Sequence, residues 1–143
     1  MFKIFNWQQE PDLVEEICAM LGSDAKAPFN VFSEPLANVL GMMTHPVDGY
    51  EIGALLDDDD NVCGYALFTS TKILQFYVAP DFRKKGHGRT MIEALKLIYK
   101  ERNAAIIDIP VRSTEQARSF WEACGAYCED PNSQLWCIEI KSA

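Results

Sequence analysis

The feature that most constrains this chain is a strand-to-helix turn built around residues 78–90. An apolar run, residues 73–78, leads into V-A-P-D-F-R-K-K-G-H-G-R-T, and a helix-patterned run follows from residue 90 to residue 100. Within the loop, Arg83, Gly86 and Gly88 form R-x-x-G-x-G. Glycine has no Cβ, so the backbone here can turn sharply and approach a ligand closely. The N–H groups at the start of the next helix point back into the loop, with the helix dipole behind them. That geometry holds an anionic oxygen, most often a phosphate. Arg83, Lys84, Lys85 and Arg89 put four cations in seven residues of a chain whose formal net charge is −8. The alternative is a plain glycine turn. A Walker loop is excluded, because G-x-x-x-x-G-K-[ST] is absent, and a dinucleotide fold would want a longer glycine fingerprint.

The rest of the chain has to supply a core for this turn. A length of 143 residues suits one domain, and 48% apolar with 24% charged residues is ordinary globular composition. No apolar run reaches the ~18 residues a membrane span needs, and the N-terminus lacks a secretory pattern, so a cytoplasmic location is expected. The five cysteines, Cys18, Cys63, Cys124, Cys128 and Cys137, read as free thiols, since no Cys or His cluster completes a metal site. The acidic balance argues against broad nucleic-acid binding and leans toward a cationic or neutral substrate.

Taken in order, residues 2–7 alternate weakly as a first strand. Pro11 opens a helix carrying Leu13, Val14, Ile17, Met20 and Leu21 at helical spacing, with Gly22 as its stop. Ser33 caps a second helix bearing Leu36, Val39, Leu40 and Met43. Residues 50–56 and 62–69 read as strands joined by the turn Asp57–Asn61, and residues 73–78 complete a meander. Residues 90–102 form a helix with Met91, Ile92, Leu95, Ile98 and Tyr99 inward, and residues 104–109 form a strand parallel to the one before it. Thr114 caps a helix over residues 115–124 that Gly125 ends, and residues 127–130 and 134–141 make the last strands. The expected fold class is α+β: a mixed, largely antiparallel central sheet with helices on both faces, in a single domain spanning residues 1–143.

V-x-P-x-x-R-x-x-G-x-G on a strand–loop–helix resembles the acyl-coenzyme A signature of the GNAT family of N-acetyltransferases. Downstream, T-x-x-A-x-x-F-W-x-x-x-G at residues 114–125 resembles that family's second motif, N-x-x-A-x-x-F-Y-x-x-x-G-F. Together they cover roughly residues 73–126. The resemblance implies a GNAT-like fold and acetyl-CoA as cosubstrate. It also implies direct attack by an amine-bearing acceptor, small molecule or protein, in a ternary complex. It assigns the pyrophosphate to Arg83, Lys84, Lys85, Gly86, His87, Gly88, Arg89 and Thr90. Phe76 and Tyr77 are assigned to the pantetheine amides, Val78 beside them to the acyl end of the cofactor, and Thr114, Ala117, Phe120 and Trp121 to the flank of the pantetheine arm and the thiol. By the same analogy Phe29, Phe32, Met42, Met43 and His45 line the acceptor pocket. A homodimer is kept open.

Acyl transfer needs an anchored donor, a neutral amine, an oxyanion donor and a proton for the thiolate. The resemblance gives the oxyanion to the Val78 N–H. The base stays open among Glu51, His45, Tyr77 and a water relay, because some members have a glutamate where this chain has Lys72. Trp121 stands where many members have the tyrosine that protonates the thiolate, and an indole N–H is no acid at neutral pH. Ala126 likewise replaces the motif's last phenylalanine. Tyr77 and Tyr127 are the candidates for the acid, with Tyr77 as a mere pocket wall the competing reading. Two other classes are carried: an acyl-CoA-binding module without transfer activity, and a nucleotide-binding regulator.

Overall fold

A computed structural model describes residues 1–23, 45, 47–111, 115–128 and 135–140. The expected second helix, most of the proposed acceptor-pocket residues, Thr114 and the turn before the last strand lie outside them. In chain order the elements are β1 (Phe2–Phe5), α1 (Pro11–Ser23), β2 (Glu51–Leu56), β3 (Val62–Phe68) and β4 (Ile73–Val78). A short 3-10 turn (Pro80–Phe82), α2 (His87–Glu101), β5 (Ile106–Pro110), α3 (Glu115–Ala123) and β6 (Leu135–Glu139) follow.

Strands β1 to β4 form an antiparallel sheet in sequential order, and β5 pairs antiparallel with β6. Among the described residues, one parallel bridge, Lys72 to Asp108, joins the two sheets. The parallel neighbours expected on either side of α2 are therefore present but touch only at the start of β4. Past that bridge β4 and β5 share no further pairing among the described residues. Of the strand expected at residues 127–130, the described part, residues 127 and 128, contributes a bridge between Tyr127 and Cys137 on the outer side of β6.

Helices cover both faces. On one side Met91, Ile92, Leu95 and Tyr99 of α2 and Trp121 of α3 pack with Leu55, Ala66, Phe68, Ile73, Ile107 and Ile109. On the other, Val14, Ile17 and Leu21 of α1 pack with Ile52, Tyr65, Leu67, Leu74 and Tyr77. Each such side chain, fully buried, stabilises the fold by roughly 1.5–3 kcal/mol. That outweighs the ~1 kcal/mol that a glycine costs within a helix, so α1 runs through Gly22 to Ser23 instead of stopping.

A bulge corrects the expected faces of β4. Phe68 pairs with Ile73 and Leu67 with Gln75, which leaves Leu74 as the extra residue. Ile73 therefore joins Phe76 and Val78 on the α2 side, and Leu74 joins Tyr77 on the α1 side. Strict alternation along the sequence predicts Ile73, Gln75 and Tyr77 on one face and Leu74, Phe76 and Val78 on the other.

Candidate functional site

The site is built from the end of β4 and the beginning of α2. The backbone N–H of Ala79 donates to the carbonyl of Cys63 at 2.8 Å, in register with Val78 opposite Gly64. Antiparallel pairing alternates, so if Ala79 faces β3, Val78 and Phe76 turn their N–H and C=O groups toward the other edge. That edge has no strand paired to it beyond the Lys72–Asp108 bridge among the described residues. The main-chain groups of Phe76 and Val78 thus face that edge, whereas those of Tyr77, expected at the pantetheine amides, turn toward β3 opposite Tyr65.

After β4 the chain makes the Pro80–Phe82 turn and then takes left-handed backbone at Lys84, φ 61°, and at Gly86, φ 85°. Lys84 lacks glycine's freedom, and such a conformation costs of the order of 1–3 kcal/mol. Gly86 is the N-cap of α2, and no side chain caps the helix. The helix begins at His87, three residues earlier than its apolar spacing indicates. His87, Gly88 and Arg89 therefore form its first turn, and their N–H groups are the open donors of its positive end. Lys84 and Lys85 are exposed beside them.

Gly88 is small for a packing reason. A Cβ there would lie 3.0 Å from Cε1 of Phe120 and 3.8 Å from Cγ2 of Val78. The first motif thus rests directly on the second. Phe76, Phe120 and Trp121 complete an aromatic cluster with centroid separations of 4.9, 5.1 and 5.6 Å. Trp121 is 6% exposed and belongs to the core, and Ala117 packs against the same core.

Two loop cations, Arg83 and Arg89, and the Thr90 hydroxyl are engaged with main-chain carbonyls. Arg83 turns back, its Nε donating to the Val78 carbonyl at 2.8 Å and its guanidinium carbon lying 5.4 Å from the Tyr77 ring centroid. Arg89 donates through Nη1 to the Ala123 carbonyl at 2.6 Å, and Lys96 donates to that of Cys124 at 2.7 Å. Both cations sit at the negative end of α3. That end closes in a Schellman arrangement on Gly125, φ 93°, with Ala126 N–H donating to Trp121 and Gly125 N–H to Glu122. The Thr90 hydroxyl donates to the Gly86 carbonyl at 3.0 Å. His87 packs edge-on against Phe82, and its Nδ1 is buried without a hydrogen-bond partner.

Of the four residues expected at the chemistry, the structure brings two together. Tyr77 and Val78 are adjacent at the end of β4, but Tyr77 is 4% exposed, packed against Tyr65 at 6.1 Å. Glu51 lies level with Ile73, five residues and roughly 17 Å back along the sheet from Val78. It is paired there with Arg102 at 2.5 and 2.8 Å. Tyr127 stands in the row Lys72–Asp108–Cys137, also at the closed end, and its hydroxyl is 3.5 Å from Glu139 Oε1. His45 is exposed.

The residue that sequence reading passed over is Gln75. It is 5% exposed, its Oε1 accepts from the Tyr65 hydroxyl at 2.6 Å, and its Nε2 is buried without a partner. Burial pushes the Tyr65 phenol well above its usual range, so it stays a donor and fixes the amide's orientation. A glutamine in the run I-L-Q-F-Y-V was the available signal.

Comparison with known proteins now bears on this geometry. A family model described as an acetyltransferase (GNAT) domain matches residues 21–134. A search of curated proteins finds no match. Among solved structures, Tetrahymena GCN5 superimposes with a TM-score of 0.75 at 12% identity, covering 100% of this chain and 98% of that one. The Escherichia coli ribosomal-protein-S18-alanine N-acetyltransferase gives 0.69 at 15% identity, covering 100% and 96%. The PaiA N-acetyltransferase of Thermoplasma acidophilum, solved in complex with coenzyme A, gives 0.69 at 12% identity, covering 97% and 99%. At such identities the likeness is one of fold.

Proposed function

The chain belongs to the GNAT acetyltransferase family, and on that premise we propose that it moves an acetyl group from acetyl-CoA to an amine acceptor by direct attack in a ternary complex. The observation that carries the reading is the open end of β4. The main-chain groups of Phe76 and the N–H of Val78 face an edge that no strand pairs among the described residues, beside an uncapped helix N-terminus with two exposed lysines.

The residues present fit the cosubstrate. The N–H groups of His87, Gly88 and Arg89 would hold the pyrophosphate, with Lys84 and Lys85 adding charge. Phe76 would offer its main-chain groups to the pantetheine amides, and Phe120 would wall the arm. The bound donor supplies a thioester, an acyl group activated for attack. The Val78 N–H would donate to the acyl oxygen as it gains charge, and a donor fixed in place before reaction costs no reorganisation. Tyr77 closes the wall beside it. Glu51 and Tyr127 are not included, because both stand at the other end of the sheet. With Trp121 unable to act as an acid, the thiolate takes its proton from water.

Among the described residues no helix is long and apolar enough to cross a membrane, and all five cysteines are free thiols. The thiols support a reducing, cytoplasmic setting.

Titration calorimetry with coenzyme A and with ATP tests the binding half. Coenzyme A should bind and ATP should not displace it. Acetyl-CoA turnover against a panel of small amines and peptides tests the chemistry. Binding with no turnover across the whole panel would point instead to an acyl-CoA-binding module, and displacement by ATP to a nucleotide-binding regulator.

A further inference from the structure

We infer that Gln75 is a specificity-determining residue of the acceptor site: its side-chain amide donates to an oxygen that the acceptor carries besides its amine. The acceptor is then an amine bearing a carbonyl or hydroxyl oxygen, not a bare alkylamine or a diamine. The inference rests on the acyl-transfer reading above and names what its acceptor carries.

Gln75 stands in the middle of β4, three residues and about 10 Å before Val78. It pairs with Leu67, and Tyr65 pairs with Tyr77, so these four side chains share the α1 side of the sheet. The side chains proposed to flank the cofactor, Phe76, Val78 and Phe120, pack on the opposite side. In a ternary complex the amine needs an approach that the cofactor does not fill, and Gln75 and Tyr77 hold the other face of the strand.

Among the described residues Gln75 alone of the aliphatic polar or charged side chains is buried, at 5% exposure. Its two ends are used unequally. Oε1 accepts from the Tyr65 hydroxyl at 2.6 Å, and Nε2 has no partner. Burial pushes the Tyr65 phenol well above its usual range, so it stays protonated and holds Oε1 as a donor. The amide cannot turn over to offer its oxygen elsewhere without leaving the phenol proton unmatched. A buried donor without a partner costs stability, whereas a methionine and a phenylalanine at these two positions would fill similar space with nothing unpaired. An arrangement that keeps the unpaired donor is one in which a ligand supplies the missing acceptor. Such an N–H selects by polarity. A carbonyl or hydroxyl oxygen accepts from it, and a second, protonated amine, which has only donors, does not.

The test is acetyl transfer to four series of primary amines of matched chain length: alkylamines, ω-amino amides, amino alcohols and diamines. The wild-type protein should favour the amides or the alcohols over the alkylamines by about tenfold or more in kcat/KM, and place the diamines last. Whichever of the two leads identifies the oxygen as carbonyl or hydroxyl. Gln75→Met combined with Tyr65→Phe removes both polar groups together. It should abolish the preference, chiefly through KM, while the denaturation midpoint is held or raised. Tyr65→Phe alone frees the amide to turn, so diamines should gain about fivefold or more relative to alkylamines. Equal kcat/KM for amides, alcohols and alkylamines in the wild type would overturn the inference. So would a preference that survives in the double variant, which would leave Gln75 a structural partner of Tyr65. One further measurement needs no turnover and no variant. The NMR signals of the Gln75 side-chain amide, in wild-type protein saturated with coenzyme A, should move on adding the amino amides or amino alcohols and stay in place with the alkylamines. Signals that respond to none of them would overturn the inference. If the protein bound coenzyme A but acetylated no amine, the acyl-transfer reading would fall, and the amide signals would still decide whether Gln75 meets an oxygen-bearing amine.

Discussion

β4 has two ends built in opposite ways. At its start, polar groups meet partners. Asp108 N–H donates to the Thr71 carbonyl at 3.0 Å, and the Tyr99 hydroxyl reaches the Thr69 carbonyl at 2.8 Å. Glu51 and Arg102 close the same end as a two-point pair. Burial pushes the Tyr99 phenol well above its usual range, so it remains a donor across ordinary pH. At its finish, the strand has no pairing to β5 among the described residues and turns into strained backbone at Lys84. Beside it lies a helix whose first N–H groups have no cap. The closed end fixes where β5 and α2 stand, and the open end can stay unpaired because they are fixed. A site of exposed backbone donors is stable only beside an anchor of this kind.

Changes at the aromatic cluster should have the largest effect, because they loosen the support beneath the open end. Trp121→Ala should cost about 3–5 kcal/mol of unfolding free energy, read by denaturant titration. Trp121→Phe, which keeps a ring against Phe76, should cost much less and keep much of the turnover. A loss of several hundredfold in the maximal rate of Trp121→Phe, with affinity intact, would give the indole a direct role and break the assignment of this cluster to structure.

Gly88 comes next. Gly88→Asp sets a carboxylate at the positive end of α2 and drives a Cβ toward Phe120. Coenzyme A affinity should fall at least tenfold, about 1.4 kcal/mol, by calorimetry on a protein shown to be folded. Equal affinity in that variant would mean the uncapped helix start is not where the cosubstrate is held.

Tyr77 sharpens the comparison further, since it sits at the open end yet is buried. Tyr77→Phe keeps the ring under Arg83 and removes only the hydroxyl. As a wall, Tyr77 predicts a maximal rate within about threefold of wild type; as the acid, it predicts a loss of about 10²-fold or more. The wall is the expected outcome, because its ring is packed between Arg83 and Tyr65.

The open end was legible in the sequence and the closed end was not. R-x-x-G-x-G after an apolar run encodes a local turn, and local turns are written in neighbouring residues. The unpaired edge of β4 beyond the Lys72–Asp108 bridge is also local in effect, since the glycine loop and the shortness of β5 limit the ladder. Glu51, by contrast, was read as a candidate base because nothing near it in sequence shows its partner, Arg102, 51 residues away. Arg83 and Arg89 were counted as phosphate cations for the same reason: their acceptors are the Val78 and Ala123 carbonyls, visible only once strand and helix are placed. The bulge at Leu74 is a third such case. It shifts Ile73 to the other face through the register of β3, which the period of a single strand cannot reveal.

Glu51 therefore supplies the smallest expected effect and the cleanest check on the closed end. Its carboxylate and Arg102 are partly exposed, with side-chain exposures of 29% and 41%. A pair of that kind contributes roughly 1 kcal/mol or less even with good geometry, because water screens it and both side chains lose freedom to hold it. Glu51→Gln keeps one acceptor for Arg102 and removes the charge. The expected result is a small loss of stability, fading as salt is raised, with the maximal rate and its pH profile unchanged. A general base in the reaction would behave otherwise: its removal takes away about 10²–10⁴-fold of the rate and the acidic limb of the pH profile. That outcome would mean the acceptor amine reaches the closed end of the sheet, and that the division between an anchoring end and a reacting end of β4 is wrong.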